Sequence, residues 1–456
     1  MPGPDAKTLA AGLALATLLL AHGAEAAVTA QQAEALGATL TAVGAEKAGS
    51  ADGRIPAYTG GLPTAPASAG HPDAGLADPF ADEKPLRVLT ASDLGGAESE
   101  LTAGTLELLR THPAFCVDVY PTHRTMADPE WFLANTLRNA TDARLVEDNL
   151  TLENALPGIP FPIPRDGREV MWNHRLHYMG RAMEFKYDSW LVTSSGDRNL
   201  TTTAQSAWDF PAFDPKWTRP LRPDDALFRW KLDYSGPQRR AGEAFILIDS
   251  VDPLKDPRKT WLYVPGQRRA KRVEVPDDAP HSSSSGAYIN DDAFVYTGVL
   301  ERYDIKLLGK REMIVPYNTY RLTYHANIDD VLQKREINPE LLRWELHRVW
   351  VVEATLKPGQ HHVYGRRVFY VDEDSWAALA SDEYDLDGKL LRVVYALPTY
   401  DYKAGVPFTV MHVAYNLDTG AYFLAFFPGS HSGVRYVESL PDRLWSPDAM
   451  AGSGLR

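Results

Sequence analysis

The sequence predicts a mainly β (α+β) protein built on one large, curled antiparallel sheet with a few covering helices. Within residues 181–193, apolar and charged side chains alternate, which is typical of a strand with one buried and one solvated face. Similar runs recur in the second half of the chain, and Asp418-Thr419-Gly420 joins the last two as a tight hairpin. Successive strands with turn signals and few helices are typical of such a sheet.

Local signals predict the individual elements in order. Thr29 with Gln32 forms a capping box that begins a short helix, residues 101–110 form a second helix that ends before Pro113, and Asp128-Pro129 begins a third. Asn338-Pro339 begins one more short helix, and the turn that ends at Gly388 precedes a strand. Besides the first run, strands are predicted over residues 244–248, 260–264, 303–307, 348–356, 366–371, 389–396, 408–416 and 422–427.

The N-terminus has the layout of a secretory signal peptide. Lys7 precedes an apolar run of about a dozen residues, and Ala24-Glu25-Ala26 forms a small-x-small cleavage site. A membrane-spanning helix needs about 20 apolar residues, so this shorter run favours a cleaved signal peptide over the alternative, a permanent N-terminal anchor. The sequence therefore predicts export with cleavage near Ala26. Cys116 is the single cysteine, and a large exported protein without internal disulfides fits the bacterial periplasm.

The chain divides into four predicted segments. Residues 1–26 are the signal peptide, and residues 27–164 form an irregular and helical segment that wraps the sheet. A proline-rich connector at 157–164 closes that segment, because four prolines cannot donate ladder hydrogen bonds. Residues 165–428 form the curled β domain, and residues 429–456 are a C-terminal tail without a clear pattern.

Composition excludes some function classes. The formal net charge is −13, which argues against nucleic-acid binding because phosphate recognition needs a basic face. Hydrophobic residues make up 44% of the chain, enough for a substantial core. After the signal peptide no segment approaches 18 consecutive apolar residues, so no transmembrane segment is expected in the mature chain.

Catalytic and metal motifs give no positive signal. Residues 429–433 (GSHSG) have the wrong spacing for a nucleophile elbow, and no glycine-rich loop opens a helix after a strand. His174 and His177 lie on an apparent strand, where they would face opposite sides. The acidic turn before Gly388 has Val394 where a calcium loop needs glutamate. We therefore expect no enzyme activity, no metal site and no cofactor.

Two sets of residues are candidates for binding. One comprises apolar side chains expected on the inward face of the sheet, as a hydrophobic pocket: Met183, Phe185, Tyr187, Leu191, Trp261, Tyr263, Phe369 and Val371. The other is the densest positive cluster of this acidic chain, in a hairpin after Pro265-Gly266, as a head-group or partner docking site: Arg268, Arg269, Lys271 and Arg272. The alternative for the cluster is a solvated hairpin paired to acidic neighbours. Residues 281–286 (HSSSSG) predict a flexible loop.

Several segments carry a family resemblance. WLYVPGQRRAKRV (261–273) and the stretch at 366–395 with its Val371-Asp372 and Asp387-Gly388 turns resemble strand pairs of the LolA/LolB-like superfamily of lipoprotein carriers. Five segments in order, at 43–62, 78–86, 119–125, 158–174 and 313–322, resemble an uncharacterised Gram-negative periplasmic family usually labelled outer membrane lipoprotein-sorting protein. The resemblance implies a half-open β-barrel closed by helices, encoded near RND-type exporters and an outer-membrane β-barrel protein, and it implies no proven activity.

Three function hypotheses remain open. A curled sheet with an apolar face must cover that face with helices or a ligand, so the first is a periplasmic carrier or chaperone of a lipid, acyl chain or similar apolar molecule that works with an envelope transport system. The second is a non-catalytic adaptor that docks on an RND-type exporter or outer-membrane barrel. The third is a hydrolase. A large cavity favours the carrier, a packed core with an exposed apolar patch favours the adaptor, and convergent Ser, His and Asp favour the hydrolase.

Overall fold

The structure, a computed structural model, describes residues 28–62, 75–147, 150–267, 269–431 and 433–453. The predicted signal peptide lies outside the described residues. No helix of the described part combines the length and the apolar character that crossing a membrane requires.

Twenty strands and six α-helices make up the described chain. The helices are α1 Ala30–Ala33, α2 Ala103–Thr111, α3 Glu130–Asp142, α4 Gly167–Arg175, α5 Ile328–Val331 and α6 Pro447–Ser453. The strands are β1 Arg87–Leu89, β2 Val117–Val119, β3 Arg144–Val146, β4 Thr151–Glu153, β5 Ala182–Val192, β6 Arg198–Asp209, β7 Ala226–Gly236, β8 Ala244–Ser250, β9 Lys259–Tyr263, β10 Ala270–Val273, β11 Tyr303–Pro316, β12 Trp344–Leu356, β13 Arg366–Asp372, β14 Ala378–Tyr384, β15 Leu390–Ala396, β16 Thr399–Asp401, β17 Val406–Phe408, β18 His412–Asn416, β19 Tyr422–Phe427 and β20 Val434–Val437.

Sixteen of these strands form one sheet. Its path runs β11-β12-β13-β14-β15-β18-β19-β5-β6-β7-β8-β9-β10, with neighbouring strands antiparallel. β2, which also pairs with β1, pairs in parallel with β12 at a single position, on the edge of β12 that faces β13. β20 pairs with β5 on the edge of β5 that also pairs with β19. The two end strands, β10 and β11, do not pair with each other in the described chain, so the sheet is large and not closed. The predicted mainly β class is confirmed.

The alternation that predicted β5 corresponds to its two faces. Met183, Phe185 and Tyr187 are buried, whereas the charged residues between them are half-buried. Register fixes this arrangement, because a shift of one residue would turn every side chain to the other face. At the predicted hairpin between β18 and β19, Gly420 adopts φ +69°, a conformation that glycine reaches without strain.

One apolar cluster extends through both predicted parts of the chain. It contains residues of the N-terminal segment, such as Val43 and Phe132, together with residues of the sheet up to Phe427. The N-terminal segment packs closely on the connector at 157–164: a Cβ at Gly44 would lie 1.7 Å from the Pro162 carbonyl oxygen. Trp376 is fully buried and its Nε1–H donates to the Val43 carbonyl over 2.9 Å. The boundary between residues 164 and 165 stays a prediction.

The interpretation of residues 172–178 as a strand was wrong. They lie in and just after helix α4, where Asp166 is the N-cap residue and accepts hydrogen bonds from the amides of Arg168 and Glu169 at 2.8 and 2.9 Å. A capping carboxylate satisfies amides that the first helical turn leaves unpaired. The helix is buried on most sides, and polar residues such as Asn173 and His174 are buried together with the apolar ones, so polarity does not mark its solvent face.

Candidate functional site

A cavity with a volume of about 560 Å³ lies between the sheet and a long connection. Its floor is formed by β7, β8 and β9, and its cover is formed by residues 274–297, here called the lid. Aromatic and aliphatic side chains from both parts line it: Phe228, Trp230, Leu232, Tyr234, Phe245, Leu247, Leu262, Val273, Tyr288 and Phe294. Concave, mostly apolar sites of this size are the usual binding sites for small molecules.

Ring contacts hold the aromatic wall of the cavity in place. Trp230 stacks on Trp208 at a centroid distance of 4.9 Å, and the indole N–H groups of both donate to the Ser206 hydroxyl at 3.0 and 2.8 Å. From the lid, Phe294 packs on Trp208 at 5.2 Å and on Phe426 at 5.6 Å. Because these side chains are fixed by their neighbours, the wall is preformed.

A polar group lies at one side of the cavity. Arg240 follows β7, and its guanidinium lies 3.8 Å from the centroid of the Tyr234 ring. It donates to Glu243 over 3.0 Å and to the hydroxyl of Ser283 in the lid over 2.7 Å. Burial, together with the positive charge of Arg240, lowers the pKa of His281 to about 3, so His281 is neutral at physiological pH. The side therefore offers one cation and one neutral imidazole to a ligand's polar end.

The lid is joined to distant strands by buried ion pairs. Arg367 on β13 is fully buried and donates to Asp291 over 2.7 Å, to Asp292 over 3.2 Å and to Glu383 of β14 over 2.6 and 3.0 Å. Arg392 on β15 donates to Asp292 over 3.0 Å. Such charges are tolerated in a core only when they are paired and hydrogen-bonded.

The pKa values in this cluster follow from burial and pairing. Burial raises the pKa of Asp292 and of Glu383 above their ordinary values. Burial also acts to raise the pKa of Asp291, but Arg367 and His362 hold it below its ordinary value. The lid's acidic pair therefore carries at least one full negative charge that faces Arg367.

A second anchor connects the lid to the floor of the cavity. Arg258, which precedes β9, donates to Asp277 of the lid over 3.1 Å and to the Thr297 carbonyl over 3.1 Å. The same guanidinium donates to the fully buried Asp249 of β8 over 3.2 Å. Thus Arg258 holds both ends of the lid beside the floor strands, and arginines of β13 and β15 hold its acidic pair.

Seven of the eight apolar residues predicted for the pocket are buried and Trp261 is half-buried, but none of the eight lines this cavity. Met183, Phe185, Tyr187 and Leu191 pack in the main cluster, as do Phe369 and Val371. Trp261 and Tyr263 lie on the other face of β9, in a small cluster with Ile246 and Met450. Alternation along a strand identifies its buried face. It does not show which part of that face is left uncovered by neighbouring elements, because this depends on the whole topology.

The basic hairpin has its side chains in solvent. Arg268 lies outside the described residues, and Arg269, Lys271 and Arg272 are exposed. Within the described chain these three make no ion pair, so the alternative of pairing with acidic neighbours finds no partner there. In register, Lys271 is opposite Leu262 and Arg272 opposite Trp261, so Lys271 is on the cavity face and Arg272 on the other.

Sequence reasoning missed the residues that build the cavity. The stretch predicted as a flexible loop, residues 281–286, instead packs over the cavity, with Ser284 fully buried and its hydroxyl donating to the Tyr288 carbonyl over 2.8 Å. The adjacent acids Asp291 and Asp292 gave a local signal, since two charged residues between apolar neighbours need partners when buried. Their arginines come from strands more than 70 residues away.

The ring nitrogens of His174 and His177 are used in hydrogen bonds. Their rings stack at a centroid distance of 5.3 Å, yet each is already hydrogen-bonded. His174 accepts from the Ala378 amide over 3.0 Å at Nδ1 and donates to the Tyr296 carbonyl over 3.0 Å from Nε2. His177 bonds the His174 carbonyl and the Thr409 hydroxyl. These histidines connect α4 to the lid and to the sheet.

Comparison with known proteins identifies the family. The sequence profile of DUF1329, described as a protein family of unknown function, matches residues 88–451. The chain belongs to DUF1329. An uncharacterised protein of Pseudomonas aeruginosa is 38% identical to this chain over 448 residues, which are 97% of each of the two. The resemblance to an uncharacterised family that the sequence segments indicated is thereby confirmed.

Three solved structures are similar to part of this chain. A DUF1329 protein from Desulfovibrio piger is 15% identical, covers 59% of this chain and 92% of its own, and superposes with a TM-score of 0.39. A putative outer membrane lipoprotein-sorting protein domain from Vibrio parahaemolyticus is 14% identical, covers 62% of this chain and 97% of its own, and superposes with a TM-score of 0.42. A LolA superfamily protein from Nitrosomonas europaea is 12% identical, covers 62% of this chain and 99% of its own, and superposes with a TM-score of 0.36. At these values the likeness carries no argument about ligands.

Proposed function

We propose that this DUF1329 protein is a periplasmic carrier of an apolar small molecule, which it holds between the lid and strands β7–β9. The observation that supports the proposal is the cavity of about 560 Å³ with its aromatic wall. Burying about 16 methylene groups at ~0.8 kcal/mol each yields roughly 13 kcal/mol before the cost of association. A carrier needs no catalytic residue, so this function is consistent with the motif search.

The polar side of the cavity defines the kind of ligand. Arg240 and the neutral His281 belong to the polar part of a lining whose other part is aromatic and aliphatic, so the preferred ligand has one polar or anionic end and an apolar body. Arg240 already donates to Glu243 and Ser283, which fixes its direction. A fatty acid or similar amphipathic lipid has this shape and charge.

The test is extraction of bound lipid from protein purified out of the periplasm, followed by mass spectrometry. We expect a lipid at stoichiometric amounts in the native chain and its loss in Ala279→Trp, because Ala279 of the lid lines the cavity and an indole there would fill it. The matched control is Ala91→Trp, at an exposed position far from the lid in sequence. A native protein without extractable lipid and without binding of a fluorescent fatty acid contradicts the proposal.

The adaptor remains a second candidate because of one exposed edge. Leu86 and Val88 are 71% and 47% exposed, and β1 pairs only with β2 in the described chain. An edge strand with apolar side chains is a site where another chain can add. We expect Leu86→Lys with Val88→Lys to abolish capture of an RND-type exporter or outer-membrane barrel while fatty-acid binding stays unchanged. Loss of both the capture and the fatty-acid binding would show that the substitutions disrupt folding, not a docking edge.

A further inference from the structure

We propose that His347, Asp372 and Asp374 form a binding site for a divalent transition-metal ion, remote from the lid. The three residues are buried, and each offers one ligand atom, with all three atoms within 4.8 Å of one another. His347 lies on β12, whereas the two aspartates lie at the end of β13 and in the turn after it. The ion would therefore join two neighbouring strands at one end of the sheet.

The hydrogen bonds around Asp372 leave one of its oxygens free for an ion. Three donors converge on Oδ2: the Tyr317 hydroxyl at 3.0 Å, the Ser375 amide at 3.0 Å and the Ser375 hydroxyl at 2.7 Å. The other oxygen, Oδ1, is buried and has no hydrogen-bond partner. A buried acceptor without a partner is costly, and a buried carboxylate oxygen more so. A bound cation supplies the missing partner.

The imidazole of His347 is oriented as metal-binding histidines are. Its Nε2–H donates to Glu345 Oε2 over 3.0 Å, which leaves the lone pair on Nδ1. Glu345 is itself held by the His123 amide at 2.8 Å and by the Asn318 side-chain amide at 3.0 Å. Tyr317 stacks on the imidazole at a centroid distance of 3.7 Å. A carboxylate on the distal nitrogen is the usual support of a histidine ligand.

Asp374 completes the set and links it to the N-terminal segment. Arg124 donates to both of its oxygens, at 2.6 and 2.9 Å, and each carboxylate oxygen keeps a further lone pair for an ion. One imidazole nitrogen and two carboxylate oxygens suit Zn²⁺ or Mn²⁺ and leave positions open for water. Because Arg124 connects Asp374 to the Glu46 carbonyl over 2.7 Å, a bound ion would also stabilise the N-terminal segment on the sheet.

The test uses tag-free full-length protein and has two readouts: metal content after dialysis, and the melting temperature with Zn²⁺, Mn²⁺ or Mg²⁺ against EDTA. We expect about one ion per chain and a melting temperature that Zn²⁺ or Mn²⁺ raises and EDTA lowers. Both effects should vanish in His347→Phe, which keeps a ring on Tyr317, and in Asp372→Asn. Glu345→Gln should weaken binding by about 10- to 100-fold.

The matched control is His362→Gln, which removes another buried histidine bonded to a carboxylate, Asp291. It should keep the ion. Retention of the ion in folded His347→Phe overturns the proposal. So does a native protein that holds no ion and shows no thermal response to Zn²⁺ or Mn²⁺, a result that is independent of whether any variant folds.

Discussion

Leu262 and Trp261 are adjacent on β9 and face different environments. Leu262 lines the cavity, whereas Trp261 packs in the small cluster with Ile246 and Met450 on the other side of the sheet. Their cross-strand partners on β10 are Lys271 and Arg272, so the same division continues to the edge of the sheet. Within one dipeptide, one side chain therefore lines the cavity and the next packs on the opposite face of the sheet.

Substitution of this pair should give opposite results. We expect Leu262→Trp to reduce the cavity and weaken fatty-acid binding at least tenfold, about 1.4 kcal/mol, with little change in unfolding free energy. Trp261→Ala should instead destabilise the fold by about 2 kcal/mol and leave the affinity of folded protein unchanged. Fluorescent fatty-acid titration and urea denaturation measure the two quantities. Equal effects of both variants on affinity would contradict the cavity assignment.

The lid anchor on β13 allows a comparison of adjacent arginines. Arg367→Met removes the only cation bonded to both Asp291 and Glu383 within the described chain and leaves buried carboxylates unpaired, so we expect a loss of about 3–5 kcal/mol in unfolding free energy. Arg366 has a side chain 36% exposed and pairs with Glu353 at 3.3 Å. Arg366→Met should cost about 1 kcal/mol or less. A similar small cost at both positions would show that the lid is not anchored there.

His412 should make stability depend on pH. It is fully buried beneath the lid, against Tyr288 and Phe294, and burial lowers its pKa to about 4. The unfolded chain binds a proton below an ordinary pKa of 6.5, while the folded chain does not until about 4. This contribution to stability is thus present above pH 6.5 and is lost as pH falls to 4, in total about 3 kcal/mol.

We expect His412→Gln to lack that dependence. The difference in unfolding free energy between native chain and variant should therefore shrink by about 3 kcal/mol from pH 7 to pH 4, as measured by urea denaturation. The exposed His361→Gln is the control and should follow the native chain. A constant difference between native chain and His412→Gln across this range would disprove the assignment.

The alternation of β5 gives a prediction about two adjacent positions. Phe185 is 2% exposed and packs against Phe408 at a centroid distance of 5.6 Å, so Phe185→Asp should destabilise the fold by at least about 4 kcal/mol. Lys186 is half-buried on the other face, and Lys186→Asp should change unfolding free energy by less than about 1 kcal/mol. Thermal denaturation of the two variants measures the difference. Equal tolerance of both substitutions would contradict the assignment of Phe185 to the buried face and Lys186 to the other.

The basic hairpin should affect association more than stability. We expect Arg269→Gln with Lys271→Gln to change unfolding free energy by less than about 1 kcal/mol, because both side chains are exposed. Association of an anionic fatty acid should become slower and less sensitive to salt. Stopped-flow binding at low and high ionic strength measures this, with Arg272→Gln, on the other face, as control. Unchanged rates and salt dependence would exclude the hairpin from ligand capture.

Sequence reasoning reached the fold class because strand alternation is local. Within five residues of β5, the buried face is visible from Met183, Phe185 and Tyr187. The hairpin at Gly420 is predicted by its own turn residues. It failed at α4, where the polar residues Glu169, Asn173 and His174 are buried together with apolar ones, so that polarity did not mark the solvent face. There the informative signal was the N-cap Asp166 with Glu169 in the first turn.

The binding residues could not be found in the same way. The cavity depends on which part of an apolar face the lid leaves uncovered, and the lid's position depends on pairs such as Arg367 with Asp291, 76 residues apart. The candidate metal ligands likewise come from two strands, so His347 and Asp372 have no common motif. Long-range pairing of this kind has no periodicity that a single sequence can display.

The two anchors of the lid have a mechanical consequence. Arg258 holds it beside β8 and β9, and Arg367 holds it at β13, with seven strands of the sheet between β8 and β13. The lid thus connects strands that lie far apart along the path of the sheet. Bending of the sheet between β8 and β13 would therefore change the distance over which the lid is held.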